Sequence, residues 1–292
     1  MNDQQENKKV VWLASYPKSG ATWTQGIIRR AGIHYGVPQG DFDVYKLIKS
    51  GGNPPTSKTI KSEIIEERCA ILKTHRAWNG ERILHSEIPF EMAAFVHIIR
   101  NPLDMLLSYI NFTRIQYKNQ PTNSRFQRKL FMEFMGFEKP LTLDVWLDMD
   151  LENIPKKNLD CALKNFTKNN LQVPSLNLVG GNWLEFNLSW MKAAKKFPSV
   201  MIRYEDCIHS PSAYSALTEI FKFSEENILD AAKYIEKARK EKSSDQDKQV
   251  FYNKMSSYYY LDFFSSDFIG NFLQKYQKEI ELLGYPDLPT TK

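Results

Sequence analysis

A short apolar run, Val10 to Ala14, breaks into Ser15-Tyr16-Pro17-Lys18-Ser19-Gly20-Ala21-Thr22-Trp23, and helical spacing then runs from Thr22 to Arg30. A strand feeding a small-residue loop that opens a helix aims unsatisfied backbone N–H groups and the positive end of the helix dipole at one point, which suits a phosphate or a sulfate. Lys18 adds a mobile positive charge, and the Ser19 and Thr22 hydroxyls add donors. A plain capped helix start after a strand has the same outline, so the loop alone leaves both readings open. It is not a Walker A loop, because its Lys precedes the Gly. A nearer imitation, Gly52-Asn53-Pro54-Pro55-Thr56-Ser57-Lys58-Thr59, has Ser57 for the second Gly, two prolines that remove donors and no strand before it. It reads as an exposed loop.

Further short β-prone runs occur at Cys69 to Lys73, Phe95 to Ile99 and Val200 to Arg203. Longer segments with helical spacing lie among them or follow: Pro102 to Thr113, Leu184 to Lys196, Ala213 to Phe223, Glu225 to Lys240 and Phe268 to Leu283. That alternation predicts an α/β fold with a central parallel sheet flanked by helices. Ile48 to Thr59 and Glu241 to Lys248 read as loops rather than linkers, so the expectation is one domain over residues 1–292, with residues 1–9 as a flexible tail.

Composition narrows the classes. The 292 residues carry 39 Lys and Arg against 34 Asp and Glu, a formal charge of +5, too small and too dispersed for nucleic acid but suited to a small anionic ligand. Cys69, Cys161 and Cys207 form no CxxC pair, so no metal site or disulfide scaffold is expected, and a reducing compartment fits. The N-terminus lacks an apolar leader and no run approaches the ~18 apolar residues of a membrane span; the expectation is a soluble, cytoplasmic protein with no membrane partner. Asn-x-Ser/Thr sequences at Asn111, Asn165 and Asn187 are read as chance.

The third apolar run ends in His97-Ile98-Ile99-Arg100-Asn101-Pro102-Leu103-Asp104, with Ser108 further along. Asn101 suits an N-cap and Pro102 the first helical position. Arg100 then stands at the carboxyl end of a strand, where open α/β sheets bind ligands, and an Arg with a serine hydroxyl suits a terminal phosphate. Pairing of Arg100 with Asp104 is the structural alternative.

Tyr-Pro-Lys-Ser-Gly-x-Thr-Trp at Tyr16 to Trp23, with Arg-Asn-Pro-x-Asp-x-x-x-Ser at Arg100 to Ser108, resembles the family of sulfotransferases that use PAPS, 3′-phosphoadenosine 5′-phosphosulfate. Leu72-Lys73-Thr74-His75 and Arg203-Tyr204-Glu205-Asp206 agree, so the resemblance spans Val10 to about residue 210. It implies the P-loop-like sulfotransferase fold, with PAPS as sulfuryl donor, PAP as product and no metal. Lys18, Ser19, Gly20, Ala21 and Thr22 would hold the 5′-phosphosulfate, Trp23 would stack on the adenine and Tyr204 would complete its pocket. Arg100 and Ser108 would hold the 3′-phosphate. His75 matches the family's catalytic base, Lys18 would neutralise the leaving oxygen, and Lys73 would assist the transferring group. The sequence departs from the family pattern at Ala21, where Thr is usual, and around Asn253 to Tyr260, where the family's Arg-Lys-Gly-x-x-Gly clamp has no counterpart.

The reaction implied is sulfuryl transfer to a hydroxyl, or to an amine or carbamoyl nitrogen, of a small-molecule acceptor such as a secondary metabolite. The alternatives are a P-loop-type nucleotide kinase, against which the order of Lys and Gly speaks, and a non-catalytic nucleotide-binding protein on the same fold. The acceptor is expected among loops Tyr35 to Thr59, Arg76 to Glu87 and Tyr117 to Trp146. Monomer and homodimer both remain open. His34, His85, His97 and His209 lack the context of His75 and are read as structural.

Overall fold

The computed structural model describes residues 8–33, 41–43, 70–80, 90–119, 125–137, 149–174, 181–221, 223–243 and 258–291. The loop predicted at Ile48 to Thr59, Cys69, His34 and His85 lie outside the described residues. The chain divides into two compact units: Met1–Ile99 with Leu178–Gly180 and Glu185–Ala238, and Arg100–Asn177 with Gly181–Leu184 and Arg239–Lys292.

The first unit is built on a parallel sheet in the order β2-β3-β1-β4-β5. Its strands are β1 (Lys8–Ser15), β2 (Asp41–Asp43), β3 (Ala70–Thr74), β4 (Phe90–Ile99) and β5 (Ser199–Arg203). Val11, Trp12, Leu13 and Ala14 of β1 are all buried. Such a continuous apolar run marks a strand covered on both faces of a parallel sheet. Strand β4 is five residues longer than its apolar core predicts, because Phe90 to Ala94 pair with Lys8 to Val11 across a register shift. The short β2 carries no apolar run of its own and was not legible.

Side chains alternate across β4. Val96 and Ile98 join Leu13, Val200 and Ile202 in a core covered by helix α1 (Ala21–Ile33), through Ile27, Ile28 and Ala31. Tyr214 and Leu217 of the turn Pro211–Glu219 join it, as do Ile228, Ala231 and Ala232 from a helix over Glu225–Ser243. Phe95 and His97 are buried beside another helix, Trp183–Ala193, with the Phe95 ring 4.9 Å from Trp190 and His97 Nε2 2.9 Å from Asn187 Oδ1. Each large apolar side chain buried this way contributes about 1.5–3 kcal/mol. Three expectations are corrected here: Lys8 and Lys9 belong to β1 rather than to a tail, the helix from Glu225 runs through Ser243 into the loop expected at Glu241 to Lys248, and Ala213 to Phe223 is not an α-helix, the chain instead forming a 3₁₀ stretch over Pro211–Glu219. Pro211 opens it, the Ser212 N–H donates to Ser210 Oγ at 3.3 Å, and i to i+3 bonding is the tighter local solution.

In the second unit, α2 (Pro102–Asn119) begins with a reciprocal cap. The Asp104 N–H donates to Asn101 Oδ1 at 2.8 Å while Asn101 Nδ2 donates to Asp104 Oδ2 at 2.7 Å. Helices α3 (Arg125–Phe134) and α4 (Lys156–Lys168) occur where the sequence reading places no element. They are joined by Asn158 Nδ2 and Asn165 Nδ2, which donate at 2.9 Å to the carbonyls of Met135 and Phe134. The helix Trp183–Ala193 is numbered α5, the six-residue Tyr204–His209 α6, Glu225–Ser243 α7 and Ser266–Leu282 α8. Phe272 of α8 stacks on Phe166 of α4, and Ser265 N–H donates to Asp160 Oδ1 at 2.8 Å. Tyr259 and Tyr260 are buried, and the Tyr260 N–H donates to Asp104 Oδ1 at 2.8 Å, so these two rings belong to the core of this unit.

Burial lowers the His97 pKa from 6.5 to about 4, outweighing the Asn187 bond that acts in the opposite direction. The unfolded chain therefore binds the extra proton between those values, and stability is lost as pH falls from 6.5 towards 4. Replacing His97 by Gln should reduce the stability difference between pH 7.5 and pH 4.5 by about 2 to 3 kcal/mol, measured by urea unfolding at both values. An unchanged difference would contradict a buried neutral imidazole.

Candidate active site

At the end of β1 the chain turns tightly. The Ser19 N–H donates to the Tyr16 carbonyl at 3.2 Å, and two left-handed residues, Lys18 at φ 70° and Gly20 at φ 107°, flank Ser19. A left-handed lysine costs energy that is commonly stored at ligand-holding loops. The Gly20 carbonyl accepts from the N–H groups of Trp23 at 3.0 Å and Thr24 at 3.1 Å, so α1 starts directly from the loop. Its first N–H groups, from Ala21 and Thr22, have no carbonyl within the helix to meet. Ser19 is 1% exposed and its Oγ has no hydrogen-bond partner among the described residues. A buried hydroxyl without a partner costs about 1–3 kcal/mol, and an anion at the start of α1 would satisfy it. The loop residues thus fit a phosphate or sulfate group.

Other groups of the first unit converge on this loop. Lys73, in register with Leu13 across the β1–β3 pair, brings Nζ to 3.5 Å from Thr22 Oγ1. His75, one residue beyond β3, places Nδ1 2.6 Å from the carbonyl of Ser15, the last residue of β1. A carbonyl only accepts, so Nδ1 carries the proton and, in the neutral ring, Nε2 carries the lone pair. Tyr204, the first residue of α6, lays its ring edge over the loop: a Cβ on Gly20 would meet Tyr204 Cδ2 at 2.7 Å. Arg203, which ends β5, is held by Asp206 through Nε to Oδ2 at 2.8 Å and Nη2 to Oδ1 at 2.9 Å, a bidentate pair that fixes the turn into α6. Trp23 is half-buried against the α1 side of the core, so its ring also serves packing. Ala21 is buried and Thr22 exposed. In the core on the α1 side, burial pushes the Cys207 thiol up to about 12, which keeps it protonated and inert.

Arg100 and Ser108 lie in the second unit. Arg100 is half-buried and directly precedes the Asn101 cap. Asn101 to Leu107 are all buried, and Ser108 is the first residue of α2 to regain exposure. Asp104 uses one carboxylate oxygen for Asn101 and the other for the Tyr260 amide, which gives it a structural role beside the pairing considered from sequence. Among the described residues, no group of three or more His, Cys, Asp or Glu is placed to hold a metal, and no helix is long and apolar enough to cross a membrane. The Ser15 carbonyl was not anticipated as a partner of His75; main-chain acceptors leave no sequence signal.

A parallel α/β sheet with an anion-fitting loop at the end of its central strand defines the P-loop-like class of folds. The sulfotransferase domain model matches residues 8–263, and the chain belongs to that family. The fold is shared with the crystal structure of mouse sulfotransferase SULT7A1 complexed with PAP, at a TM-score of 0.52 and 16% identity over 97% of this chain and 89% of that one. No protein of curated function matches the chain.

Gly20 carries a sharp steric prediction. Its positive φ and the Tyr204 ring both oppose a side chain, so Gly20→Ala should lower unfolding free energy by about 1–3 kcal/mol. Adding Tyr204→Ala should relieve the clash but not the backbone strain, so chemical denaturation of the double variant should show sub-additive loss. Strict additivity would mean that the ring does not lie over the loop.

Proposed function

We propose that the protein transfers the sulfuryl group of PAPS to a hydroxyl, or to an amine or carbamoyl nitrogen, of a small-molecule acceptor, with His75 as general base. The observation that carries this reading is the 2.6 Å bond from His75 Nδ1 to the Ser15 carbonyl. It leaves the basic nitrogen of the ring on Nε2, at the end of the strand whose loop fits an anion. PAPS supplies the sulfuryl group and leaves as PAP. His75 Nε2 takes the proton of the acceptor as the acceptor's oxygen or nitrogen bonds to sulfur and the bridging S–O bond breaks. An imidazole suits this task near neutral pH.

Lys18 neutralises the charge left on the bridging oxygen, and Lys73, held near Thr22 at the start of α1, stabilises the transferring group. The N–H groups of Ala21 and Thr22 and the Ser19 hydroxyl donate to the phosphosulfate oxygens. Fixed donors of this kind need no reorganisation during reaction, which favours a loose in-line transfer. Tyr204 and Trp23 are assigned to the adenine. Arg100 and Ser108 are assigned to the 3′-phosphate on the strength of the Arg-Asn-Pro-x-Asp-x-x-x-Ser motif. The reading includes a soluble, cytoplasmic enzyme that needs no metal.

The test uses the full chain with labelled PAPS and a library of phenols, alcohols and amines, sulfated products being identified by mass. His75→Ala should lower turnover by about 10²–10⁴-fold while PAP affinity, read by calorimetry, stays within about two-fold. Lys18→Ala should weaken both. Full turnover by the His75 variant would remove His75 from the role of base.

A further inference from the structure

His75 stands in irregular backbone, one residue past β3, yet its ring must hold one tautomer to act as a base through Nε2. An imidazole in water prefers the proton on Nε2, so the Ser15 carbonyl selects the opposite tautomer only while the backbone keeps Nδ1 against it. The carbonyl is fixed within β1. The other partner is positioned by β3, which ends at Thr74, and by the segment that follows His75, whose main chain bonds to α5 while the Trp78 ring packs on Phe197 just beyond that helix.

The Arg76 N–H turns back to Thr74 Oγ1 at 3.1 Å, a local bond. The Arg76 carbonyl accepts from Trp190 Nε1 at 3.0 Å, and the Trp78 N–H donates to Ser189 Oγ at 2.8 Å. Ser189 has no freedom of direction, because its own hydroxyl proton goes to the Phe186 carbonyl at 2.7 Å and only its lone pairs face Trp78. Trp190 is fully buried, with its ring 4.9 Å from Phe95 and 6.4 Å from Phe186. Two adjacent residues of α5 thus hold two main-chain groups just after His75, the Arg76 carbonyl and the Trp78 N–H.

We propose that Ser189 and Trp190 are positioning residues for the base: by clamping Arg76 and Trp78 they hold His75 as the Nδ1–H tautomer against the Ser15 carbonyl. The proposal rests on the assignment of His75 as base. Loss of either clamp frees the 76–78 backbone, lets the ring exchange its proton between the two nitrogens, and removes the lone pair from Nε2 for part of the time. Misplacement of a catalytic group by about 1 Å through a remote change costs up to about 10²-fold in rate.

The full chain, labelled with ¹⁵N-histidine, reports the tautomer directly through long-range ¹H–¹⁵N correlations of the ring at pH 7.5, His75 being assigned by the signals lost in His75→Gln. The wild-type ring should show a protonated Nδ1 and an unprotonated Nε2. In Ser189→Ala and Trp190→Phe the two nitrogen shifts should converge, and Ser189→Thr, which keeps the hydroxyl, should restore the separation. Turnover of PAPS with 2-naphthol as probe acceptor should fall about ten-fold or more in Ser189→Ala, with PAP affinity within about two-fold. Ser189 is half-buried and its alanine variant keeps the packing of Trp190, so the test stands even if Trp190→Phe fails to fold. Wild-type ring signals and turnover in Ser189→Ala overturn the clamp. His75→Ala separates the two ideas: if it abolishes transfer while Ser189→Ala is silent, the base stands and the clamp falls, whereas full transfer by His75→Ala removes both.

Discussion

Everything at the site depends on β1 being enclosed. It bonds to β3 on one side and β4 on the other, and its residues from Val11 to Ala14 are buried on both faces. A strand so placed has one free direction, its carboxyl end, and the chain must leave there through whatever backbone fits. Left-handed Lys18 and Gly20 make that exit tight enough for α1 to start at once. The same enclosure immobilises the Ser15 carbonyl, which is why a main-chain oxygen can serve as the orienting group for an imidazole.

The two faces of the sheet carry different duties. The α1 side is an apolar core in which Leu13, Val96, Ile98, Val200 and Ile202 meet aliphatic side chains. The α5 side is polar in places: His97 with Asn187, Trp78 with Ser189, and Arg76 with Trp190. Buried polar groups of this kind specify one arrangement rather than many, because each mismatched alternative leaves a donor or acceptor unsatisfied. Helix α5 is therefore the part of the first unit that registers the segment after β3 against the sheet.

What was legible in the sequence was local. The loop from Tyr16 to Gly20, the Asn101–Pro102 helix start and the apolar cores of four strands follow from turn chemistry, capping and runs of β-prone residues, and all of them are present. The resemblance, carried by two motifs, supplied the family. The role of α5 was not legible, because Ser189 and Trp190 meet partners more than a hundred residues away, at separations of 111 and 114. Helix α4 has apolar residues at helical spacing, Leu159, Ala162, Leu163 and Phe166, but polar residues dilute them below notice. The 3₁₀ stretch was misread because over so few residues its apolar spacing is that of an α-helix; Pro211 and the Ser210 cap were the available clue.

The Asn187 amide has a consequence outside enzymology. Asn187 begins an Asn-Leu-Ser tripeptide and is 0% exposed, with His97 donating to its oxygen. A sugar attached to that nitrogen has nowhere to go in the folded chain. Oligosaccharide attachment and closure of α5 over the sheet are mutually exclusive events, so in a secretory host the two would compete on each nascent chain. Molecules that lost the race would be retained as misfolded, whereas folding in a compartment without that glycosylation machinery faces no such contest.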